Sequence, residues 1–464
     1  MQQADLVIRN AEVFGPHESF HGGVAIHAGK IVVVGDDGAL PEGTVTIDAQ
    51  GKALLPGLID AHVHIRAPGR TEREDFYSGT CAAAAGGITT LLEMPVSQPG
   101  VANVEILLRR AELAARDAVV DFGLYGGGGA SNAKTGDIQA MADAGAVGFK
   151  TFMHAPPKGR EQEYEGLHVI DDGALFDVFA AVAKTGLMSC VHAENNELVE
   201  HGIAAMRAAG RLDPMAHAPS RPPLVEIEAA SRVIMLADAA DCRVSICHIS
   251  LPETALAARR ARFSGQEVMV ETCPHYLLLA EGLVKEIGAY AKINPPLRSE
   301  QDQRELWRCL EQGWIDYVAS DHAPFVAADK EGSPDDIFAV PAGAPGLETM
   351  VPVMANELLR ASPMGLSALV QLCAVNPAMA FGLYPQKGAL QPGSDGDVVL
   401  LDTVTPRTIR RADMKTKSRD SARLYEGWQV LGWPVLTVSR GKVVMRDGQI
   451  LGERGHGRMV RPRR

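Results

Sequence analysis

The chain has 464 residues, of which 46% are hydrophobic, and it carries a net charge of −12 at pH 7. This acidic balance argues against nucleic acid or an anionic membrane surface as a partner. The sequence has no run of about 18 apolar residues that would cross a membrane, and its start, MQQADLVIRN, lacks a secretory-signal pattern. Its seven scattered cysteines include no CxxC pair, which favours reduced, buried thiols. We therefore expect a cytoplasmic protein.

The two chain ends differ from the middle of the chain. Residues 1–55 and 390–464 consist of short β-runs broken by turns, such as VAIHAGKIVVVG and VLTVSRGKVVMRDG. Residues 56–389 alternate short apolar runs with alanine-rich helical segments, a pattern that indicates a parallel sheet. The apolar runs number eight: LLPGLIDAHVHI, GITTLLEMP, DFGLYGG, AVGFKTFM, LMSCVHAE, RVSICHIS, EVMVETCPHYL and DYVASDHAPF. The fold class predicted is α/β, with a (β/α)8 barrel over 56–389 and a small β-sandwich domain built from both ends.

Two histidines stand two residues apart in the first run, in IDAHVHIRAPG. Residues i and i+2 of a strand point to the same side, so His62 and His64 can supply two ligands to one ion. The alternative for so short a pattern is a pair of hydrogen-bonded polar residues at a strand end.

More ionisable residues lie at the ends of other runs. Any one of them alone could be a satisfied core residue, but together they converge on one end of the predicted barrel, where the active sites of such barrels lie. Their number exceeds what one tetrahedral ion needs, which indicates two ions. The predicted ligand set is His62, His64, Lys150, His192, His248 and Asp321.

Lys150 is unexpected in a metal site, because an ammonium group would repel cations. A lysine desolvated beside cations has a depressed pKa, and its free amine can react with CO2 to form an anionic carbamate that bridges two ions. The alternative is a lysine paired with Glu194 or another acid.

The segments PGLIDAHVHI, AGAVGFKTFM, VHAENNEL, CHIS, ETCPHYL, NPPLR, SDHAPF and GSDGDVVLLD resemble, in this order, those of the cyclic amidohydrolases. This branch of the amidohydrolase superfamily contains hydantoinases, dihydropyrimidinases, allantoinases and dihydroorotases. The resemblance implies a binuclear centre, usually of zinc. It matches His62 and His64 to the ligands of the more buried ion, and His192 and His248 to those of the more exposed ion. It matches Lys150 to the carboxylated bridging lysine and Asp321 to a ligand that is also the catalytic acid/base.

The resemblance also implies a mechanism. Two ions lower the pKa of a bridging water, so hydroxide is available at neutral pH to attack a polarised ring carbonyl. Asp321 would take the proton of the hydroxide and return it to the leaving ring nitrogen. The product is a carbamoyl amino acid or ureido acid.

The substrate-binding positions give mixed indications. Arg66 matches the arginine that holds the substrate carboxylate in dihydroorotases, although a solvated loop arginine is the alternative. Val96 and Ser97 stand where dihydroorotases usually have an asparagine after the proline, and Phe325 stands where they tend to have histidine. These departures weigh against a dihydroorotase.

Other positions favour a five-membered ring. D-selective hydantoinases and dihydropyrimidinases place an oxyanion-donating tyrosine where this chain has Ala155, preceded by His154. Asn294 in NPPLR and the backbone around Gly346 in GAPGLE match the ring-binding positions of the branch. VDFGLYGGG and AGAVGFK are most similar to L-hydantoinases, and VETCPHYL to allantoinases. We predict a hydantoin- or allantoin-type ureide, bound by Arg66, His154, Asn294 and Gly346.

Three alternatives remain open. One is activity on a six-membered ring, as in dihydroorotases or dihydropyrimidinases. Another is a non-catalytic scaffold homologue, which would lack metal ligands, and the third is a mononuclear deaminase-type barrel, which needs no bridging lysine. Relatives form dimers or tetramers, so a homodimer or homotetramer is expected.

Overall fold

The computed structural model describes residues 3–463. Its first strands are β1 (Ala4–Phe14), β2 (Ser19–His27), β3 (Lys30–Gly35), β4 (Gly43–Asp48) and β5 (Ala53–Pro56). β1 pairs antiparallel with β2 and runs parallel to β4 and β5. The β2–β3 hairpin turns at Ala28 and Gly29, whose φ angles of 49° and 76° lie in the left-handed region that tight hairpins require.

The next strands are short, buried and parallel. They are β6 (Leu58–Val63), β7 (Ile88–Glu93), β8 (Asp121–Leu124), β9 (Gly126–Gly127), β10 (Gly148–Phe152), β11 (Met188–His192), β12 (Val244–Ile246), β13 (Val268–Thr272) and β14 (Tyr317–Val318). β6, β7 and β8 form one sheet, and β9 to β14 follow one another in a second. Because helices cover parallel strands, these strands read as continuous apolar runs.

Two backbone contacts close these sheets into a ring. Val147 N donates to Leu124 O (2.9 Å), which joins the approach to β10 with β8. His64 N donates to His322 O (2.8 Å), which joins the segment after β14 with β6. With β8 and β9 as successive parts of one barrel strand, the ring has eight members. The carboxyl ends of all eight strands therefore open on the same side.

The remaining strands follow the barrel. They are β15 (Val398–Asp402), β16 (Arg407–Thr408), β17 (Gln429–Val430), β18 (Trp433–Ser439), β19 (Lys442–Arg446) and β20 (Gln449–Ile450). β16 and β17 pair with each other in a small sheet, whereas the other four return to the first sheet. β15 pairs with β5, so one nine-stranded sheet contains strands from both chain ends. Leu6, Val24, Leu400 and Val438 belong to one apolar cluster inside this sheet.

Helices lie between the barrel strands and after them. They are α1 (Phe76–Ala85), α2 (Val104–Asp117), α3 (Ala130–Thr135), α4 (Asp137–Ala144), α5 (Asp172–Ala183), α6 (Asn196–Ala208), α7 (Pro223–Ala239), α8 (Pro252–Phe263), α9 (Pro274–Leu278), α10 (Val284–Ile287), α11 (Glu300–Glu311), α12 (Ala327–Glu331), α13 (Met350–Arg360), α14 (Gly365–Val370) and α15 (Asn376–Ala380). Side chains cap several of them; Asn103 accepts from Ile106 N at the start of α2. Within residues 3–463, no helix is both long and apolar enough to span a membrane.

One part of the chain departs from the predicted division into 1–55 plus 390–464 and 56–389. Ile409, Met414, Leu424 and Tyr425 pack in the apolar cluster of the barrel helices and not in that of the nine-stranded sheet. Residues 1, 2 and 464 of the predicted ranges lie outside the described residues.

Candidate metal centre

The six predicted ligands meet at the carboxyl ends of the barrel strands. Their strands deliver them to one level: β6 carries His62 and leads to His64, β10 carries Lys150, and β11 ends at His192. His248 and Asp321 follow β12 and β14 by two and three residues. A cavity of about 940 Å³ opens above them, and the four histidines and Asp321 line it. Lys150 lies behind them, fully buried.

One group of donors surrounds the Asp321 carboxylate. Asp321 Oδ1 lies 3.3 Å from His62 Nε2 and 3.4 Å from His64 Nε2. One donor atom from each of the three residues fits within 4.8 Å of the others. Asp321 has a φ of 44°, a left-handed conformation that is uncommon outside glycine and that turns the chain at the end of the strand. Burial raises the pKa of Asp321, but His62 and His64 outweigh burial and lower it, so the carboxylate stays ionised.

A second group joins the other two histidines. His192 Nδ1 lies 3.1 Å from His248 Nε2. His192 Nε2 lies 2.8 Å from Glu194 Oε2, which fixes the proton on Nε2 and leaves the Nδ1 lone pair free for a cation. Arg221 Nη1 donates to the same Glu194 oxygen (2.6 Å). Burial raises the pKa of Glu194, but Arg221 and His192 lower it by more than burial raises it. Glu194 is therefore an anion, and it holds the imidazole of His192.

Lys150 lies on β10, the fourth barrel strand, without a salt-bridge partner in the described part of the chain. Among residues 3–463, no nitrogen or oxygen atom is hydrogen-bonded to its Nζ, and no acid makes a salt bridge with it. The pairing with Glu194, one alternative from the sequence, is not formed. Burial lowers the pKa of Lys150, but the neighbouring Cys247 and Glu271 outweigh burial and raise it. Burial alone therefore does not give Lys150 the depressed pKa expected from the sequence.

Two buried acids that sequence reasoning missed hold the ligands in place. Glu271 Oε1 accepts from His62 Nδ1 (2.7 Å) and from His248 N (3.0 Å). Asp60 Oδ1 accepts from His62 N (3.2 Å) and from Ser320 N (3.0 Å), linking the first and eighth barrel strands. Two features of the sequence could have indicated them. Asp60 stands two residues before His62, and Glu271 lies on the seventh barrel strand, to which no ligand was assigned.

Three of the four predicted substrate-binding residues line the cavity. Arg66, His154 and Asn294 are on its wall. Gly346 is not on the wall: its N–H donates to His322 Nδ1 (3.1 Å), so the loop uses this donor internally. Gly343, three residues earlier, lines the cavity in its place.

The polar groups on this wall differ in charge. Arg66 is 3% exposed, and within residues 3–463 its Nε and Nη1 have no hydrogen-bond partner. Burial lowers the pKa of Arg66 to about 10, which leaves it cationic at neutral pH. His154 Nδ1 donates to Ala155 O (2.7 Å), and burial followed by the neighbouring His192 lowers the pKa of His154 to about 3. Asn294 Oδ1 has no partner.

Another acidic group, Asp121, Asp395 and Asp397, lies away from the cavity. Its centre is filled by the ammonium group of Lys387, which lies 2.7 Å from Asp397 Oδ2 and 3.0 Å from Asp395 Oδ2. This group is therefore an ion-pair network and not a second metal site.

The sequence profile of the amidohydrolase family matches residues 53–444. The chain belongs to the amidohydrolase family. It is 35% identical over 457 residues to the L-hydantoinase of Paenarthrobacter aurescens, covering 98% of each chain. It is 33% identical over 442 residues to the allantoinase of Salmonella choleraesuis strain SC-B67, covering 95% of each.

Solved structures of this family share the fold. The L-hydantoinase (dihydropyrimidinase) from Arthrobacter aurescens superposes with a TM-score of 0.93 at 35% identity, covering 99% of this chain and 100% of that one. The dihydropyrimidinase from Brevibacillus agri NCHU1002 gives a TM-score of 0.90 at 31% identity, covering 98% of each chain. The predicted α/β barrel fold and the family resemblance are confirmed.

Amidohydrolases carry a divalent metal centre, and the donor atoms of this chain fit one. Three donors of His62, His64 and Asp321 lie within 4.8 Å of one another. The nitrogens of His192 and His248 approach to 3.1 Å, and the buried amine of Lys150 has no hydrogen-bonded nitrogen or oxygen partner among residues 3–463. Imidazole and carboxylate donors suit zinc and similar divalent ions.

Proposed function

We propose that this chain hydrolyses the ring amide C–N bond of a cyclic ureide of hydantoin or allantoin type, giving a carbamoyl or ureido acid. The observation that carries the proposal is the convergence of four imidazoles and one carboxylate on a single cavity, with a buried lysine on one of the same barrel strands. The similarity to an L-hydantoinase and to an allantoinase over almost the entire chain supports the five-membered ring.

The proposed centre contains two divalent ions, and we propose zinc. His62 and His64 would hold one ion and His192 and His248 the other, with Lys150 as a CO2-derived carbamate between them and Asp321 as a further ligand. When bound, the ions supply Lewis acidity toward the ring carbonyl and lower the pKa of a water molecule.

Other residues of the chain bind the ring and move the proton. Asp321 takes a proton from the attacking water and delivers it to the ring nitrogen, because an amide anion is a very poor leaving group. Asn294, whose Oδ1 has no partner, is placed to accept a ring N–H. His154, held neutral by burial and donating through Nδ1, offers its Nε2 lone pair to a second N–H.

Protein reconstituted with zinc and bicarbonate is expected to retain two divalent ions per chain, because one ion leaves donors unused. Elemental analysis after gel filtration measures this stoichiometry. A value of one ion or fewer contradicts the binuclear proposal and favours the mononuclear barrel.

A substrate panel tests the reaction itself. The metal-loaded protein is incubated with hydantoin, allantoin, dihydrouracil and dihydroorotate, and ring opening is followed by chromatography of the ureido acids, with metal-depleted protein as the reference. We expect ring opening to be fastest with hydantoin or allantoin. A protein that holds two ions and opens none of the four rings contradicts the proposal.

A second candidate is a ring that carries a carboxylate, such as dihydroorotate. The observation that favours it is Arg66, a buried guanidinium on the cavity wall with no salt-bridge partner among residues 3–463. An unpaired buried cation is costly, and a substrate anion would compensate it. Phe325 lies under this guanidinium, 5.1 Å from ring centroid to Cζ, and positions it as a planar fork for a carboxylate.

Replacing Arg66 by glutamine separates the two candidates. A charge-assisted hydrogen bond contributes about 1.5–3 kcal/mol, so Arg66→Gln should raise KM at least ~10-fold for a carboxylate-bearing ring. For unsubstituted hydantoin we expect KM to change less than ~3-fold. Steady-state kinetics on both rings measures the difference, and equal effects on the two rings contradict a carboxylate-binding role.

We further propose a homodimer or homotetramer, located in the cytoplasm, with residues 1–55 and 390–464 as one domain and 56–389 as the other. All seven cysteines are buried and unpaired, which supports a reducing compartment. The nine-stranded sheet of β1 to β5, β15 and β18 to β20 supports the domain division, although β5 runs to Pro56. Light scattering at a clear monomer mass contradicts the assembly.

A further inference from the structure

The two halves of the candidate centre share one carboxylate oxygen. Glu271 is on β13, the seventh barrel strand, and its side chain is fully buried. Its Oε1 accepts from the ring of His62 at 2.7 Å and from the backbone N–H of His248 at 3.0 Å. The side chain therefore reaches past the eighth strand to the first and also contacts the sixth.

The bond to His62 decides which nitrogen of that imidazole is free. An ionised carboxylate only accepts hydrogen bonds, so the His62 nitrogen that faces it, Nδ1, carries a proton. Nε2 then presents its lone pair toward Asp321 Oδ1, 3.3 Å away, where an ion would be held. Without Glu271, the proton could move to Nε2 and block coordination.

The bond to His248 acts on the backbone. His248 has a φ of 39°, in the left-handed region that a residue with a Cβ adopts only when its surroundings hold it there. Two bonds to β13 hold it: His248 N to Glu271 Oε1, and the next amide, Ile249 N, to Glu271 O at 2.8 Å. This turn directs the His248 ring toward His192.

We infer that Glu271 is a positioning residue that fixes the proton of His62 and the backbone of His248 with one oxygen, and so sets how tightly the two ligand groups hold their ions. The inference rests on the proposed binuclear function. The negative charge of Glu271 alone does not explain why both hydrogen bonds are made to one oxygen. Oε1 accepts both of them, whereas Oε2 has no hydrogen-bond partner among residues 3–463.

Two substitutions separate position from charge. Glu271→Gln keeps the size but removes the charge and makes one end a donor. Glu271→Asp keeps the charge but shortens the side chain by one methylene, so one oxygen no longer reaches both His62 and His248. Glu226→Gln is the matched control, because Glu226 is also buried and binds Ser250 N (3.1 Å) and Thr254 Oγ1 (2.9 Å) but none of the six proposed ligands.

The measurement is the rate at which a chromogenic chelator removes zinc from reconstituted protein, with the total zinc content and thermal unfolding recorded in parallel. We expect both Glu271 variants to release the ion held by His62 and His64 about 10–100-fold faster than the wild type, the range by which such outer partners alter metal affinity. Glu226→Gln should release zinc at the wild-type rate even if it unfolds at a lower temperature.

Each outcome decides the inference. If Glu271→Gln releases zinc at the wild-type rate, the inference is overturned. If Glu271→Asp releases zinc at the wild-type rate and Glu271→Gln releases it fast, the charge of Glu271 matters and its position does not, which also overturns the inference. If Glu226→Gln also releases zinc fast, the effect is a general loosening of the fold, and the specific role of Glu271 is overturned. A wild-type protein that binds no zinc overturns the proposed function itself, whereas tight zinc in every variant overturns only the role of Glu271.

Discussion

Asp321→Asn is expected to keep most of its metal and to lose at least ~10²-fold in kcat, the lower end of what a positioned acid/base contributes. Asparagine preserves the size and one oxygen of aspartate but cannot accept a proton. Four histidines and Lys150 remain to hold the ions. No second base takes over, because the next residue, His322, directs its Nδ1 to the N–H of Gly346, away from the cavity.

Stopped-time assays on the metal-loaded variant, with elemental analysis of the same sample, measure both parts of this expectation. The control is Asp316→Asn, since Asp316 precedes the same strand at the opposite end of the barrel and binds Arg262 there. A metal-replete Asp321→Asn with most of its activity would show that the proton moves through another group. His275, which follows the seventh strand, would then be the next residue to replace.

The pH dependence carries the same information. Histidine neighbours lower the pKa of Asp321 against the effect of burial, so its basic form persists to more acidic pH than that of an ordinary aspartate. Where Asp321 limits the rate, activity should therefore be lost only at a pH below the range in which an ordinary aspartate titrates. In Asp321→Asn, the acidic limb of the residual rate should flatten or move.

Lys150→Ala is expected to lose metal and activity together. The substitution removes the proposed bridge between the two ligand groups, and it leaves a buried space at the position of the amine. Short carboxylic acids such as acetate or propionate fit this space and carry the charge of the carbamate, so they should restore part of the metal content and of the activity.

The control for this rescue is Lys150→Arg, which fills the space and forms no carbamate under these conditions. It should stay inactive with or without added carboxylate. Full activity of Lys150→Ala without any added acid would show that the lysine only fills the barrel interior.

The barrel fold, and the level at which the proposed ligands meet, could be predicted from the sequence for a physical reason. Strands β6 to β14 are buried on both faces, so each reads as a short apolar run, and the polar residue that ends it stands out. His62, Lys150, His192 and Asp321 are all recognisable in this way, because the carboxyl ends of parallel barrel strands always lie on one side.

The partners of these residues could not be predicted, because they depend on geometry across the barrel. Glu271 reaches His62 past an intervening strand, and that contact follows from the closed ring and not from local sequence. Gly346 has a backbone donor whose direction is set by the loop, which points it at His322. Likewise, Met414 and Tyr425 pack on the barrel although their segment lies between two strands of the nine-stranded sheet.

The most direct test of the binuclear hydrolase is a titration of metal-depleted protein with zinc in bicarbonate buffer, with ring opening of hydantoin or allantoin recorded after each addition. We expect no activity without zinc and a rate that rises until two equivalents per chain are bound. The rate of Lys150→Ala should stay at zero at every zinc concentration. Full activity without zinc, or a rate that is complete after one equivalent, would contradict it.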